Sequence, residues 1–419
     1  MENKLPKNWV KINLKDSVNF RKGKKPKILS EENFESSLPY MDIQALESGI
    51  VRYFADKNSS KHFKENDVVI VWDGSRSGLI LKPKKGAIGS TLGALNPYTY
   101  KSEYLYYFLL SQYEIINSKA RGVGIPHVDP TYLWGLSLPL PPLPEQERIV
   151  TKLDALFAQH EAMKKALEHI PQLLKDFRQQ VLIQATNGKL TKKWRDENGI
   201  KDWVSVIIND ICESIVPGRD KPKSFTGTIP WITTPNLTSR YIDKSSTNLF
   251  LSDKEILEVR AKKIPINSVI MTIIGKFGIS AIVKEECVIN QQLHAFLPSN
   301  KIIPEFLSYI IFTKTEYLES ISSATTIAYI NKTKANSLPI NLPPLKEQQE
   351  IVSRVESLFD KADTIEKRYK TLKEKIDSLP QAILHKAFKG ELVPQLPTDG
   401  DAKDLLEEIL KLKKEVKKK

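Results

Sequence analysis

Two clusters of lysine and arginine lie in loops that also contain glycine and proline. The first reads RKGKKPK over residues 21–27, and the second reads PGRDKPKS over residues 217–224. Loops of this kind place cations against phosphate oxygens while backbone amides donate as well. We therefore interpret both loops as phosphate-binding, with a solvated charged loop as the alternative. The candidate phosphate ligands are Lys22, Lys24, Lys25, Arg219, Lys221 and Lys223.

A second pair of loops places one cation between glycines. Arg76 lies in DGSRSG at residues 73–78, and Lys276 lies in GKFG at residues 275–278. Glycine lets the backbone approach a ligand closely. Each loop therefore predicts a contact with a nucleic acid, although a plain hairpin turn would show the same pattern.

A third pair of loops carries small and polar residues with a cation or an amide at its end. One reads RGVGIPH over residues 121–127, and the other reads SSATTIAYINK over residues 322–332. Such side chains can reach base edges in a groove, while the alternative is a loop that packs against its own domain. The candidate ligands here are Arg121, His127, Asn331, Lys332 and the nearby Lys334.

No catalytic motif accompanies these loops. Gly275-Lys276 is followed by Phe277, so it does not form a nucleotide phosphate loop. Cys212 and Cys287 are far apart, which argues against a thiolate zinc site and fits a reducing cytoplasm. The six histidines lack metal-ligand spacing. We expect a protein with no enzymatic activity, no cofactor and no metal.

The charge of the chain favours a polyanionic partner. The net charge is +13 over 419 residues, a balance that favours nucleic acid. Residues 1–143 carry a net +6 and residues 191–345 a net +4, whereas residues 144–190 and 346–392 carry +1 each. No run of apolar residues is long enough to cross a membrane, and the N-terminus has no apolar signal core. We expect a cytoplasmic protein without membrane contact.

The chain repeats itself at an offset of 202 residues. The segment LPLPPLPEQ ends at Gln146 and is answered by LPPLKEQ, which ends at Gln348. The offset persists to the end of each unit, where GKL at residues 188–190 answers GEL at residues 390–392. The preceding segments correspond more loosely, for example around Trp9 and Trp203. A long period of this kind predicts a repeated architecture.

Each repeat contains apolar residues at alternating spacings of four and three, which is typical of a coiled coil. About 40 residues of helix would span roughly 60 Å. Pro171 and Pro380 interrupt the pattern; because it resumes in register, we predict kinks, with a short break as the alternative. His160 lies on the seam, where we expect a tolerated polar core residue. The seam residues are Ile149, Leu153, Leu156, His160, Met163, Leu167, Ile170, Leu174, Phe177 and Val181, then Ile351, Val355, Leu358, Ala362, Ile365, Tyr369, Leu372, Ile376, Leu379 and Ile383.

The segments before the helices contain short β-branched runs punctuated by Gly, Pro, Asn and Ser, which predict strand-rich globular domains. We favour helices for residues 104–110 and 305–312. The predicted fold class is therefore α/β (α+β): two similar globular recognition domains separated by two long helices. The predicted boundaries are 1–143, 144–190 (central helical spacer), 191–345, 346–392 (C-terminal helical spacer) and a basic tail at 393–419, which is either a short helix or a frayed end.

The repeated Leu-Pro-Pro-Leu-x-Glu-Gln motif, followed by Ile-Val and Leu-Phe at residues 141–157 and 343–359, resembles the specificity subunit of type I restriction-modification systems. The resemblance implies that residues 1–143 and 191–345 are target-recognition domains and that the helices run antiparallel in a pseudo-two-fold arrangement. It further implies a bipartite double-stranded DNA target with an unread spacer. The implied partners are two modification subunits, which methylate adenine with S-adenosylmethionine, and two restriction subunits, which are ATP-dependent translocases and nucleases.

Two other functions remain open from the residues alone. One is a coiled-coil adaptor whose basic heads bind protein or RNA, and a salt-dependent, duplex-specific binding curve would discriminate against it. The other is a self-contained fusion with a methyltransferase, for which the repeat leaves little room. Binding of S-adenosylmethionine to the isolated chain would favour the fusion.

Overall fold

The computed structural model describes residues 5–122, 124–200, 202–218, 220–323 and 328–418. The chain divides into two compact units: unit 1 comprises Met1–Leu167 and Thr371–Lys419, and unit 2 comprises Glu168–Lys370. Each unit therefore combines one globular head with segments from both long helical regions. We call the part of unit 1 before the first long helix head 1, and the part of unit 2 between its helical segments head 2.

Head 1 is a mixed α/β domain that is followed by a long helix. Its elements are β1 (Val10–Asn13), α1 (Leu14–Ser17), β2 (Val18–Lys22), β3 (Leu29–Ser30), β4 (Ser37–Met41), α2 (Ile43–Ser48), β5 (Phe54–Asp56), β6 (Val68–Val71), β7 (Ile80–Leu81), β8 (Ala87–Ile88), β9 (Leu92–Pro97), α3 (Ser102–Ser118), α4 (Pro130–Gly135), β10 (Ser137–Leu140) and α5 (Leu143–Glu168).

Head 2 has a similar order of elements. Its unit contains α6 (Ile170–Thr186), α7 (Lys192–Glu197), β11 (Val204–Ile207), β12 (Ser214–Ile215), β13 (Ile229–Ile232), β14 (Tyr241–Ile242), β15 (Phe250–Leu251), α8 (Asp253–Glu258), β16 (Val269–Thr272), β17 (Ser280–Val283), β18 (Val288–Ile289), β19 (Leu293–Phe296), α9 (Pro304–Thr313), α10 (Thr315–Ile321), α11 (Lys332–Asn336), β20 (Pro339–Leu342) and the start of α12 (Leu345–Phe388). In unit 1, α13 (Ala402–Lys418) completes the chain. The helices predicted for residues 104–110 and 305–312 are confirmed as α3 and α9.

The described residues of each head form three small sheets. In head 1, β1 pairs with β10, and two four-stranded sheets have the orders β2-β9-β6-β7 and β3-β5-β4-β8. In head 2, β11 pairs with β20, and the other sheets have the orders β12-β19-β16-β17-β14 and β15-β13-β18. The central strands β6 and β16 are buried along their whole length, as expected for β-branched runs that bear both faces on a core. Apolar packing therefore holds the central strands in place, and the loops that connect the strands carry polar residues.

The two prolines of the helical regions have different effects. Pro171 lies in the first turn of α6, shortly after a break at His169, where a missing N–H has no helical partner to lose. His169 keeps near-helical angles of φ −86° and ψ −14°, so the interruption is short. Pro380 lies inside the uninterrupted helix α12. The first helix therefore shows the short break that was the alternative prediction, and the second remains one helix.

Within each unit the helical segments run antiparallel. In unit 1 the buried imidazole of His160 bonds the carbonyl oxygen of Ile376 through Nε2 at 3.0 Å, while Ile149 and Leu153 share a core cluster with Leu384. His160 is therefore a polar residue of the helix pair, as the sequence predicts.

Unit 2 shows the same arrangement from the other ends of the helices. Arg178 donates to the carboxylates of Asp363 and Glu366 at 2.6 and 2.8 Å, and Arg354 donates to the carbonyl oxygen of Leu190 at 2.9 Å. Residues later in the first helical region therefore contact residues earlier in the second, as antiparallel helices require. Ile351 of the apolar seam is completely buried.

A buried carboxylate ties the start of α12 to head 2. Glu347 is fully buried. Its carboxylate accepts hydrogen bonds from Thr191 Oγ1 at 2.7 Å, Arg195 Nε at 2.9 Å and Trp203 Nε1 at 2.9 Å. A buried carboxylate is stable only when it is paired and hydrogen-bonded. The Glu of the repeated motif therefore joins the end of one helical segment, the beginning of head 2 and the start of α12.

The first copy of the motif does the same in unit 1. Glu145 is also fully buried, and it accepts from Trp9 Nε1 at 3.0 Å, Asn8 Nδ2 at 3.3 Å and Gln395 Nε2 at 3.0 Å. Here all three donors are neutral side chains, whereas Glu347 has an arginine.

The glutamine that follows each buried glutamate binds a different segment of the same head. Gln146 accepts from the backbone N–H of Lys101 at 3.1 Å, and Gln348 accepts from the backbone N–H of Ile303 at 2.8 Å. Both of these donors lie just before the helices α3 and α9. The Glu-Gln pair therefore fastens each long helix to two separate parts of its head.

The repeated glycines end the helices beside the tryptophans of the two heads. Gly188 and Gly390 have φ of +79° and +76°, the left-handed conformation that ends many helices and favours glycine. A Cβ would lie 2.6 Å from Arg195 Nη2 at Gly188 and 2.4 Å from Pro6 Cγ at Gly390, with the Trp203 and Trp9 rings at 3.3 and 3.4 Å. Glycine is therefore needed for the turn at both positions, and at Gly390 also for the closeness of Pro6.

We predict that Glu347→Gln destabilises the chain by about 2–4 kcal/mol, because an amide cannot accept from all three donors and leaves Arg195 without its buried counter-charge. Urea denaturation followed by circular dichroism measures the change. Asp360→Asn, on an exposed position of the same helix, is the matched control and should change stability by less than about 0.5 kcal/mol. Equal stability of the two variants would contradict the role assigned to the buried carboxylate.

Candidate nucleic-acid interface

Two of the loops singled out in head 1 lie side by side. Residues Asp73 and His127 form an antiparallel β-bridge. Gly74 N donates to the Pro126 carbonyl oxygen at 2.7 Å, and Val128 N donates to the Trp72 carbonyl oxygen at 2.9 Å. The strand direction of β6 is thus continued by a rung that joins loop 73–78 to loop 121–128. We call this feature the head 1 rung.

Three of the predicted ligands come together at the head 1 rung. Lys22 Nζ lies 3.0 Å from Asp73 Oδ2 and 5.6 Å from the centre of the Trp72 ring. The backbones of Arg121 and His127 exchange hydrogen bonds of 2.8 and 2.7 Å. The rung therefore joins the backbones of Asp73, Arg121 and His127, and Lys22 pairs with the carboxylate of Asp73.

The cations at the rung are held by nearby carboxylates. Arg121 lies 2.7 Å from Asp129, and Arg76 binds Glu47 through both terminal nitrogens. The hydrogen bond from Arg76 lowers the pKa of the Glu47 carboxyl below its usual value. Surface pairs of this kind stabilise a protein by less than about 1 kcal/mol. A phosphate could therefore replace either carboxylate at small cost.

The basic loop of head 1 comes directly after β2 and passes close to the backbone of Gly89 in a neighbouring loop. Lys24 and Lys25 are exposed, while a Cβ on Gly23 would lie 2.0 Å from the carbonyl oxygen of Gly89. This close approach explains why glycine interrupts the lysines. The loop is thereby held against the sheet with its two lysines directed to solvent.

Head 2 has a rung of the same design. Ile274 and Tyr329 form an antiparallel bridge, Gly275 N donates to the Ala328 carbonyl oxygen at 3.0 Å, and Ile330 N donates to the Ile273 carbonyl oxygen at 2.9 Å. We call this the head 2 rung. Lys276 is exposed in its loop. The two heads therefore share a geometry, and not only a sequence pattern.

Tyr329 is a candidate ligand that the sequence reasoning missed. It is 43% exposed, and it lies 202 residues after His127, the offset of the whole repeat. An exposed aromatic ring can contact sugars and the faces or edges of bases. The repeat offset was the signal that could have identified it.

The predicted ligands at 331–334 have different surroundings. Asn331 Oδ1 accepts from the backbone N–H of Lys334 at 2.9 Å and so caps α11. Lys334 Nζ donates to the carbonyl oxygen of Ile321 at 2.5 Å. Lys332 is exposed at the first position of the helix. The side chains of Asn331 and Lys334 thus support the loop itself, and Lys332 is the one directed to solvent.

The basic loop of head 2 borders a cavity of about 270 Å³. Lys221 lines this cavity together with Phe225, Trp231, Asn290 and Gln292. Asn290 and Gln292 carry the amide groups that pair with adenine in DNA recognition, and sequence reasoning did not find them because no motif marks them. Lys223 is exposed nearby, while the predicted Arg219 lies outside the described residues.

Both cysteines of the chain are free and buried. Burial raises the pKa of the Cys212 thiol to about 11 and that of the Cys287 thiol to about 12, so neither is a ready nucleophile. The described residues contain no group of three or more His, Cys, Asp or Glu side chains that could hold a metal ion. No described helix has the length and apolar character needed to span a membrane.

The fold and the paired rungs define a class: a repeat-built protein with two basic α/β heads on antiparallel helical segments. The family model described as "Type I restriction modification DNA specificity domain" matches residues 6–172 and 200–374. The chain belongs to this family.

Similar proteins extend over most of the chain. The chain is 32% identical to the type I restriction enzyme StySPI specificity subunit of Salmonella potsdam over 377 residues, which cover 82% of this chain and 79% of that one. It is 29% identical to the EcoBI specificity subunit of Escherichia coli, with 92% and 87% covered.

A solved structure supports the fold. The crystal structure of the HsdS subunit from Thermoanaerobacter tengcongensis matches with a TM-score of 0.63 at 20% identity, covering 93% of this chain and 98% of that one. The long helices, the two heads and their order are thus features that this chain shares with a known architecture.

We predict that Gly23→Ala lowers the stability of head 1 by about 1–3 kcal/mol, because the added Cβ collides with the Gly89 backbone. Thermal unfolding measures the change. Gly135→Ala is the matched control, since its Cβ would meet nothing within 4 Å. If both variants melted at the same temperature, the loop would not be held in the position described.

Proposed function

We propose that the chain reads a bipartite sequence in double-stranded DNA on behalf of a type I restriction-modification complex. The observation that carries the proposal is the recurrence of the rung in both heads, with basic and aromatic side chains at the same position of each. Membership of the DNA specificity family and the basic charge of the chain support it.

The candidate residues divide by chemistry into two sets. Flexible lysines on the basic loops suit phosphate oxygens, which position a protein on the duplex without reading sequence. Arginine, lysine, imidazole and tyrosine side chains at or beside the rungs, and the amides beside the cavity, suit base edges. The proposed phosphate ligands are Lys22, Lys24, Lys25, Arg219, Lys221 and Lys223; the proposed base readers are Arg76, Arg121, His127, Lys276, Asn290, Gln292, Tyr329 and Lys332.

In this proposal the chain recognises the DNA target and other subunits catalyse the reactions. Two modification subunits would methylate adenine with S-adenosylmethionine, and two restriction subunits would translocate and cut DNA with ATP. The chain itself would bind no cofactor and act in the cytoplasm. Residues 1–143 and 191–345 would be its target-recognition domains, with residues 144–190 and 346–392 as helical spacers.

We predict that Lys24→Ala combined with Lys25→Ala weakens binding to all duplexes alike. Removal of one phosphate contact should reduce the slope of log K against log salt by about 0.9, so the double variant should reduce it by up to about 1.8. Fluorescence anisotropy over a series of salt concentrations measures this slope. His127→Ala or Tyr329→Ala should instead change the preference among sequences and leave the slope nearly unaltered.

The matched control is Lys361→Ala combined with Lys375→Ala, which removes the same charge from exposed positions of α12. Its salt slope should equal that of the parent chain. A double variant of the basic loop that binds DNA with an unchanged slope would remove the phosphate role from this loop.

We also predict that the helices set the length of the unread spacer. Seven residues inserted into both helices, after Glu168 and after Lys370, keep the apolar seam in phase because a heptad is its period. The insertion lengthens the helices by roughly 10 Å, or about three base pairs at roughly 3.4 Å each. Selection from a library of duplexes with variable spacers should return the same half-sites with a longer spacer.

The control for this prediction is the same seven residues inserted after Gly400, outside both long helices. It should leave the selected spacer unchanged. If the double insertion altered the bases selected while the spacer stayed constant, the helices would not measure the distance between half-sites.

The adaptor that binds protein or RNA through basic heads is not favoured, because the family of the chain is a DNA specificity family. The same anisotropy series with double-stranded RNA of equal length tests it directly. Tighter binding to the RNA would favour the adaptor.

A further inference from the structure

Head 2 leaves an apolar groove open beside the ribbon formed by β11 and β20. The groove has a volume of about 530 Å³ and is lined by Val204, Val206, Ile211, Leu342 and Pro344, among others. Val204 is 62% exposed, although it lies on a strand next to the core of the head. Contiguous apolar surface of this kind marks a place where another molecule binds.

The corresponding surface of head 1 is covered. Val10 pairs with Leu140 in the ribbon of β1 and β10, as Val204 pairs with Leu342 in head 2. In unit 1, the C-terminal helix α13 packs against β1 and α1, and Leu140 is completely buried, whereas Leu342 is half-buried. The same residue types are therefore present in both heads, and among the residues that the structure describes a helix covers them in head 1 but not in head 2.

Three apolar residues of α13 make this cover. Ala402, Leu405 and Ile409 are buried, and Leu405 and Ile409 belong to the core cluster of head 1. The segment before the helix is anchored as well, since the buried carboxylate of Asp399 binds Arg148 through two hydrogen bonds of 2.6 and 2.7 Å. The helix is thus an integral part of unit 1.

Two polar contacts fix the ends of α13 on head 1. Ala402 N donates to the carbonyl oxygen of Asn8 at 3.1 Å, and Lys413 forms an ion pair with Asp16. Counting from the aligned tryptophans Trp9 and Trp203, the counterparts of residues 8 and 16 are residues 202 and 210.

Both counterparts in head 2 are aspartates, Asp202 and Asp210, and both line the open groove. An aspartate at the first position favours the positive end of a helix, and one at the second can pair with a lysine as Asp16 does. Lys301 also lines the groove, where its Nζ donates to the backbone carbonyl oxygen of Asp210 at 3.0 Å. The groove therefore has charges at the positions where a helix like α13 would need them.

We propose that this groove binds an amphipathic helix of a partner protein, in the orientation that α13 takes on head 1. The helix would place its N-terminus at Asp202, an apolar stripe with the spacing of Ala402, Leu405 and Ile409 over Val204 and its neighbours, and a lysine at Asp210. A second copy of this chain is a poor occupant, because its own α13 is already buried on its own head 1 and would have to leave that site. The inference concerns a protein partner and does not depend on DNA recognition.

The test uses a fluorescein-labelled peptide of residues 401–419 as the probe and the full-length chain as the receptor. Because head 1 is already covered, we expect saturable binding of one peptide per chain by fluorescence anisotropy. Val204→Asp should weaken this binding by at least about tenfold, since it places a charge under the apolar stripe. Ser205→Asp, on the opposite face of the same strand, is the matched control and should bind within about twofold of the parent chain.

A charge exchange tests the orientation. Asp210→Lys should weaken binding of the parent peptide, and a peptide carrying Lys413→Glu should bind this variant more tightly than the parent peptide does. Restoration of binding shows a folded head and a specific contact, which loss of binding alone would not.

Three results would overturn the proposal. The first is no peptide binding by the full-length chain. The second is equal binding by the parent chain and the Val204→Asp variant, which would mean that the peptide exchanges with α13 on head 1. The third is a dimer in sedimentation velocity that Val204→Asp dissociates, which would assign the groove to a second copy of the chain.

Discussion

The carboxylates of Glu145 and Glu347 are the constraint on which the rest of the structure depends. Each is fully buried, so each requires donors that reach it from elsewhere in the chain. The donors come from two distant places, the tryptophan segment at the start of the head and the segment that follows the returning helix. One glutamate in each unit therefore joins the start of the head, the start of the long helix and the segment that follows the other helical segment.

The geometry around these carboxylates also positions the candidate interface. The long helix starts directly after β10 or β20, and a short helix, α4 or α11, joins the loop of each rung to that strand. The position of the long helix thus limits where the second loop of the rung can lie. The buried central strand positions the first loop. The basic side chains are carried on loops, but each rung is tied by backbone hydrogen bonds to a fully buried strand.

Much of the fold could be predicted because its signals are periodic. The heptad spacing predicts the helices, and the offset of 202 residues predicts the two similar heads. The effects of Pro171 and Pro380 could not be separated in this way, since both prolines interrupt the pattern alike. What distinguishes them is local: Pro171 falls in the first turn after a break, and Pro380 falls within a continuous helix.

The candidate site was less predictable, because the bridge between Asp73 and His127 leaves no trace in either loop alone. Composition could place cations in these loops, but it could not say which of them the head uses for its own stability, as it uses Lys334.

The division of the units has a consequence for how the protein is made. Unit 1 takes its last parts from the final 49 residues of the chain, Thr371–Lys419, and its core includes Leu384, Leu405 and Ile409. A ribosome therefore synthesises every residue of unit 2 before it synthesises the segment that completes unit 1. Since domains fold as their residues become available during synthesis, the head that is made first is the one that is finished last, and its apolar core lacks Leu384, Leu405 and Ile409 until then.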